Sequence, residues 1–354
     1  MAVSQTQAPP RRGDFRPQRV LNALFGNQEA IVGLALVALM LYVGLENERF
    51  WGTRNLVQIL SSNAYIAVAA IGMSLVIISG NIDISVGSLV GVLATVSGLI
   101  VTYDGFPSWL STEAIIALSW LAPLLVGALI EGFMGYLVAY LRLPSIVVTL
   151  AFLSILKGGL IFFTNGRRIT DMPDGYELAQ MRPLENSNLP FFPEFWQAAT
   201  MPVYFMLVLT LLAALWMRYS AAGRSIYAVG GNAEAARLSG LSEKRTIMLV
   251  FMLNGVFVGV ASVLYATQLS VIQATVPPNL ELTIITSAVV GGVSILGGTG
   301  TVIGTLLAAI LLSAISKALV FLDISPFWTR AIQGVLILVT VLADLFRRRR
   351  QSRR

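Results

Sequence analysis

The chain has 354 residues, of which 56% are hydrophobic and only 12% charged, with a net charge of +6. A soluble domain carries about 25% charged residues, so this composition excludes a water-soluble fold, and its hydrophobicity excludes disorder over most of the length. There is no Cys and no His, which removes disulfides, thiolate nucleophiles, the usual catalytic triads and the commonest ligands of zinc, haem iron and copper.

Residues 1–28 form a polar tail carrying Arg11, Arg12, Arg16 and Arg19, with no cleavable signal pattern before the first apolar run. Ten apolar runs then follow, at 30–45, 56–79, 84–103, 114–141, 145–164, 202–217, 246–270, 282–296, 301–321 and 329–346. Runs near 20 residues match the ~30 Å of bilayer hydrocarbon. The predicted fold is an all-α polytopic membrane protein of about ten transmembrane helices, its membrane domain covering 29–346. Polar segments at 165–200 and 218–245 interrupt it, and a basic tail, 347–354, closes it.

Charge placement sets the expected topology. With the N-terminus inside, sixteen Lys and Arg fall in inner segments and five in outer ones, the asymmetry of the positive-inside rule. Both termini are therefore expected in the cytoplasm of a bacterial inner membrane. The basic charge sits at chain ends and in short loops, so no nucleic-acid partner is expected. Asn165–Thr200 becomes an external loop with Asp171, Asp174, Glu177, Glu185 and Glu194, read as a solvated connector or, given its length, as a docking surface. Without G-x-x-x-x-G-K-[ST] the sequence has no P-loop.

Four features carry chemistry. Gly80-Asn81-Ile82-Asp83-Ile84-Ser85-Val86-Gly87-Ser88 is a polar patch in strongly apolar sequence. It reads as a tight surface turn or as a broken-helix element on a transport path, with Asp83 or Ser85 as N-cap. On the second reading Asn81, Asp83 and Ser85 are pathway or gating residues. In the segment from Gly223 to Gly240, Ala233–Leu238 predicts a short helix with Asn232 as N-cap and Gly240 as stop, either a plain connector or an element fitted to a groove on a cytoplasmic partner. Gly291, Gly292, Gly297, Gly298, Gly300 and Gly304 put six glycines in 14 residues, which suits a hinge or close helix packing. Glu131, Lys157 and Lys317 are the intramembrane ions. A Glu131–Lys157 pair is open on spacing, and snorkelling accounts for either lysine.

Together these segments resemble the permease subunits of bacterial ABC importers for monosaccharides, the ribose, xylose, arabinose, rhamnose and autoinducer-2 branch. Gly80–Ser88 is similar to the family signature G-N-[IF]-D-[LI]-S-V-G-S. Arg142-Leu143-Pro144-Ser145-Ile146-Val147-Val148-Thr149-Leu150 resembles its next segment, with Ile146 where Phe is usual and Ala151 where Gly is common. Gly223–Gly240 resembles the coupling segment, with Glu234-Ala235-Ala236 and Gly240 on the E-A-A-x-x-x-G core. The Gly291–Gly304 run resembles the closing Gly-rich segment. The likeness runs in order from about residue 50 to the C-terminus; the polar N-terminal tail is longer than in the shortest members.

The resemblance implies a translocation subunit, not an enzyme, without a cofactor or metal. Its partners would be a second permease subunit, identical or related, one or two cytoplasmic ATP-binding subunits and a periplasmic sugar-binding protein. Gly231, Asn232, Glu234, Ala235, Ala236, Arg237 and Gly240 would contact the ATPase. The expected cargo is a monosaccharide or a related small polyol or autoinducer-2-like ligand. Two other classes stay open: an ion-coupled secondary transporter using Asp83 or Glu131, and a membrane-embedded enzyme relying on Asp, Glu, Lys or Ser.

Overall fold

Each of the ten apolar runs folds as helix, because in hydrocarbon a backbone without water must bond to itself. The computed structural model describes residues 28–186, 193–269, 271–275 and 277–351. The arginines at 11, 12, 16, 19, 353 and 354 thus lie outside the described residues. In chain order the helices begin with α1 (Gln28–Glu46), α2 (Thr53–Ser61), α3 (Ala64–Ile78), α4 (Val86–Val101) and α5 (Thr112–Ala139). Then come α6 (Ser145–Thr164), the short α7 (Pro193–Ala198) and α8 (Met201–Tyr219). The segment after α8 holds α9 (Ala221–Gly231) and α10 (Ala233–Leu238). The chain closes with α11 (Glu243–Ala266), α12 (Leu280–Val290), α13 (Val302–Phe321) and α14 (Trp328–Gln351).

Eight apolar segments among the described residues are long enough to cross a membrane, with α2 and α3 counted as one 26-residue run. The other two are short. α4 has 16 residues and α12 only 11, so at 1.5 Å per residue they reach about 24 and 17 Å. The run expected over 282–296 ends at Val290, where Gly291 and Gly292 follow and Gly292 takes φ +100°. The run at 246–270 ends at Ala266.

α3 is the central helix: every residue except Tyr65 is buried. Its Ala67, Ala69, Ala70 and Gly72 let neighbours approach closely, and α8, α11, α12 and α13 surround it. α5 packs along α11, where the Gly255-x-x-x-Gly259 face meets Gly127, Pro123 and Leu124 backbone to backbone. By contrast, α6 and α14 turn Val147, Ile155, Phe162, Val335, Leu338 and Val339 outward. Those faces suit lipid or another apolar surface.

The 165–200 connection is partly folded onto the bundle. β1 (Arg168–Ile169) pairs antiparallel with β2 (Ile272–Gln273), Arg168 opposite Gln273 and Ile169 opposite Ile272. Tyr176 is fully buried, and its hydroxyl shares a 2.9 Å hydrogen bond with Ser97 Oγ of α4. Burial pushes that phenol up to about 12. The Ala179 N–H donates to Thr267 Oγ1 at 3.2 Å.

Candidate functional site

The chain leaves α3 through a left-handed residue. Gly80 has φ +85°, its N–H bonds to the Ile77 carbonyl, and the Asn81 N–H reaches the Val76 carbonyl. This is a Schellman ending, which satisfies the last carbonyls of the helix. After four further residues Ser85 stands at the N-cap of α4, with no cap bond from its side chain. Asp83 does not cap α4 in the usual N2 or N3 pattern. Its Oδ1 accepts from Ser85 N at 2.8 Å and Ser85 Oγ at 2.6 Å, so it closes the turn ahead of the helix.

Its other oxygen joins a buried network. Asn254 Nδ2, on α11, donates to Asp83 Oδ2 at 3.2 Å and to Glu131 Oε1, on α5, at 3.0 Å. Asp83, Glu131 and Asn254 are all fully buried. One amide thus bridges two carboxyls from different helices. Glu131 stands eight residues before the end of α5, about 12 Å of helix, so the network lies inside the bundle. Lys157 is exposed on α6, and among the described residues no ion pair joins it to Glu131. Of the three predicted pathway residues, Asp83 and Ser85 face into the bundle. Asn81 lines an open cavity of about 790 Å³, shared with Gly80, Arg142, Ser145, Glu234 and Lys244.

The segment after α8 forms two helices with Asn232 between them. Asn232 Oδ1 accepts from Ala235 N at 2.9 Å and caps α10, as its residue type favours. Gly240, at φ +82°, ends the element with the Leu241 N–H on the Ala236 carbonyl. Arg237 and Glu234 pair at 2.6 Å on the exposed face, and Leu238 is 79% exposed. Ala236 packs inward. α10 therefore presents a small, charged and apolar surface outward.

Three segments far apart in sequence meet at one junction. A Cβ on Gly230, in the last turn of α9, would overlap the Ile78 carbonyl that ends α3. Gly298 donates its N–H to that same carbonyl at 2.8 Å. Gly297 and Gly298, at φ +81° and +74°, lie against Gly80, Gly230 and Gly231. Tyr227 Oη donates to the Gly300 carbonyl at 2.9 Å; burial, then nearby Glu29, raises its phenol. The rest of the Gly-rich loop is tied down too. Ser294 Oγ donates to Asp344 of α14 at 2.6 Å, Thr301 Oγ1 donates to Glu29 of α1, and Gly291 crosses Gly304 backbone to backbone.

Three participants were not singled out from the sequence. Asn254 sits in an apolar helix, and Tyr227 reads as part of a basic connector. Glu281 reads as the edge of a run, yet it opens α12 against Gly87, where an added Cβ would lie 2.9 Å from the Glu281 nitrogen. The N-termini of the two short helices, α4 and α12, therefore abut.

This arrangement brings three breaks in the helices together at one glycine-lined junction. The chain is 32% identical over 325 residues to the autoinducer 2 import system permease protein LsrC of Salmonella typhi, covering 92% of this chain and 88% of that protein. It is 33% identical over 318 residues to LsrC of Salmonella paratyphi B, covering 90% and 86%. Against LsrC of Yersinia pseudotuberculosis it is 32% identical over 326 residues, covering 92% and 87%. No solved structure matches. The profile of the family described as "Branched-chain amino acid transport system / permease component" matches residues 55–341. The chain belongs to this family of membrane permeases, and it is a transport subunit rather than an enzyme.

Proposed function

We propose that the chain is the translocation subunit of an ATP-driven importer for a monosaccharide or a related small polyol, including autoinducer-2-like ligands. Two cytoplasmic ATP-binding subunits, or one fused pair, drive it. A second permease subunit completes the pathway, and a periplasmic binding protein delivers the cargo. Both termini and the 218–245 segment face the cytoplasm of the inner membrane, and the 165–200 connection faces outward.

The observation that carries this reading is the glycine junction. A motor acting on Gly231, Asn232, Glu234, Ala235, Ala236, Arg237 and Gly240 displaces α9 and α10. α9 touches the end of α3 and the Gly-rich loop at once, so one push reaches both short helices. Asn81 faces the cavity beside α10 and acts as the gating residue. Asp83 and Ser85 hold the break in shape from behind. Gly291, Gly292, Gly297, Gly298, Gly300 and Gly304 form the hinge. The kinship with autoinducer-2 permeases supports an ABC importer over an ion-coupled carrier.

The test is substitution of the exposed coupling face. Glu234→Lys or Gly240→Trp is expected to leave the protein in the membrane while abolishing uptake and cargo-stimulated ATP hydrolysis. Normal uptake in both variants would overturn the coupling role. Uptake that collapses with an uncoupler while ATP stays high would favour the ion-coupled carrier.

A further inference from the structure

A second, smaller cavity lies within the helix bundle, away from the glycine junction. It measures about 160 Å³ and is bounded by α3, α12, α13 and α14. Six of its nine lining residues carry polar side chains: Asn63, Thr283, Ser287, Ser313, Ser316 and Gln333. No Asp, Glu, Lys or Arg lines it. Polar groups among transmembrane helices are costly to leave without a partner and face a cavity or a solute path.

The hydrogen bonds around it fix what it can recognise. Ser287 Oγ donates to the Thr283 carbonyl at 2.8 Å, Ser316 Oγ to Leu312 O at 3.0 Å, and Ser313 Oγ to Ile59 O at 2.5 Å. Thr283 Oγ1 donates to Asn279 O at 3.4 Å. These hydroxyl protons go to backbone carbonyls, of the same helix for Thr283, Ser287 and Ser316 and of α2 for Ser313, so the oxygens keep acceptor capacity. Asn63 Nδ2 donates to Ser313 Oγ at 3.0 Å. The Gln333 amide adds both donors and an acceptor. The set matches hydroxyl groups, which donate and accept. It offers no counter-charge for a carboxylate or an ammonium, so it does not suit a zwitterionic amino acid. At ~30 Å³ per water, the space holds about five waters, the room one small polyol ring needs.

Its place in the fold points the same way. Thr283 and Ser287 lie one turn apart on α12, the half-length helix that begins after Pro277, an exposed Pro278 and an exposed, left-handed Asn279 (φ +59°). Irregular backbone at membrane depth persists only where it is buried in protein or lines a cavity. We propose that this cavity is a hydroxyl-recognition subsite on the transport path, selecting neutral polyols over charged solutes. The inference rests on the importer reading above and names where the cargo is handled.

The natural absence of Cys makes the test direct. Thr283→Cys and Ser316→Cys, at two lining positions that are only half-buried, each the lone thiol of a transporter whose partner subunits have been freed of cysteine, are exposed in membrane vesicles to a small water-soluble thiosulfonate. Labelling is expected about tenfold faster than at Leu125→Cys, on the outward face of α5, since reaction needs water and a thiolate. Excess ribose-type monosaccharide during ATP turnover is expected to slow labelling about threefold, and leucine is expected to leave it unchanged. Gln333→Leu is expected to cut uptake about fivefold, the loss of one hydrogen bond, with binding-protein-stimulated ATP hydrolysis intact. Cysteines that never label would overturn the subsite, as would labelling slowed by leucine alone or by neither solute. Wild-type vesicles without monosaccharide uptake or stimulated ATP hydrolysis would instead fail the importer reading. Wild-type uptake with unlabelled cysteines fails only the subsite.

Discussion

Asn254 shows how much one side chain can hold. Its single amide nitrogen serves a carboxyl from the helix break and another from α5. Removing it leaves two buried acids facing each other without a donor, and unsatisfied buried groups cost about 1–3 kcal/mol each. Asn254→Leu is therefore expected to destabilise the protein by about 2–3 kcal/mol, read as a fall in the thermal midpoint in detergent. An unchanged midpoint would show that the bridge is dispensable. Asp83 was legible in the sequence because an acid amid apolar residues is conspicuous. Its partners were not: nothing local says that Glu131 turns toward Asn254 instead of Lys157. Glu281 was hidden for another reason, because Pro277, Pro278 and Asn279 look like the surface end of a run.

At the scale of the element, the junction of α9 with α3 and the Gly-rich loop is a contact between backbones. Gly230→Ala is expected to push these segments apart, because the new Cβ has no room beside the Ile78 carbonyl. Uptake and stimulated ATP hydrolysis should both fall to background, whereas Gly159→Ala on α6, with open space around it, should behave as wild type. Equal activity in the two variants would refute a tight junction. Tyr227→Phe removes the bond to Gly300 and is expected to cost about 1 kcal/mol of coupling, an about fivefold drop in uptake per ATP. The ten apolar runs themselves were readable, since hydropathy marks any segment that must avoid water. The half-lengths of α4 and α12 were less so. A run of Val, Ile and Leu stays apolar past Val290, and only the conformation of Gly292 shows where the helix stops. The meeting of three Gly-rich motifs was not readable at all, because it depends on contacts between residues 80, 230 and 298.

Across the whole molecule, the arginine asymmetry predicts an orientation that single cysteines can test. Asp174→Cys, exposed in the connection before α7, should label from outside intact cells. Ala221→Cys, exposed at the start of α9, should label only after permeabilisation. The reverse pattern would invert the topology. The same connection has a hold on the interior. Its β1 strand is stitched to β2, and α12 begins seven residues after β2 ends. On the importer reading, a delivery protein seated on this connection would pull, through these two residue pairs, on the chain that leads to α12. Arrival of the carrier and opening of the chamber would then be one mechanical event, with the motor below supplying the return stroke.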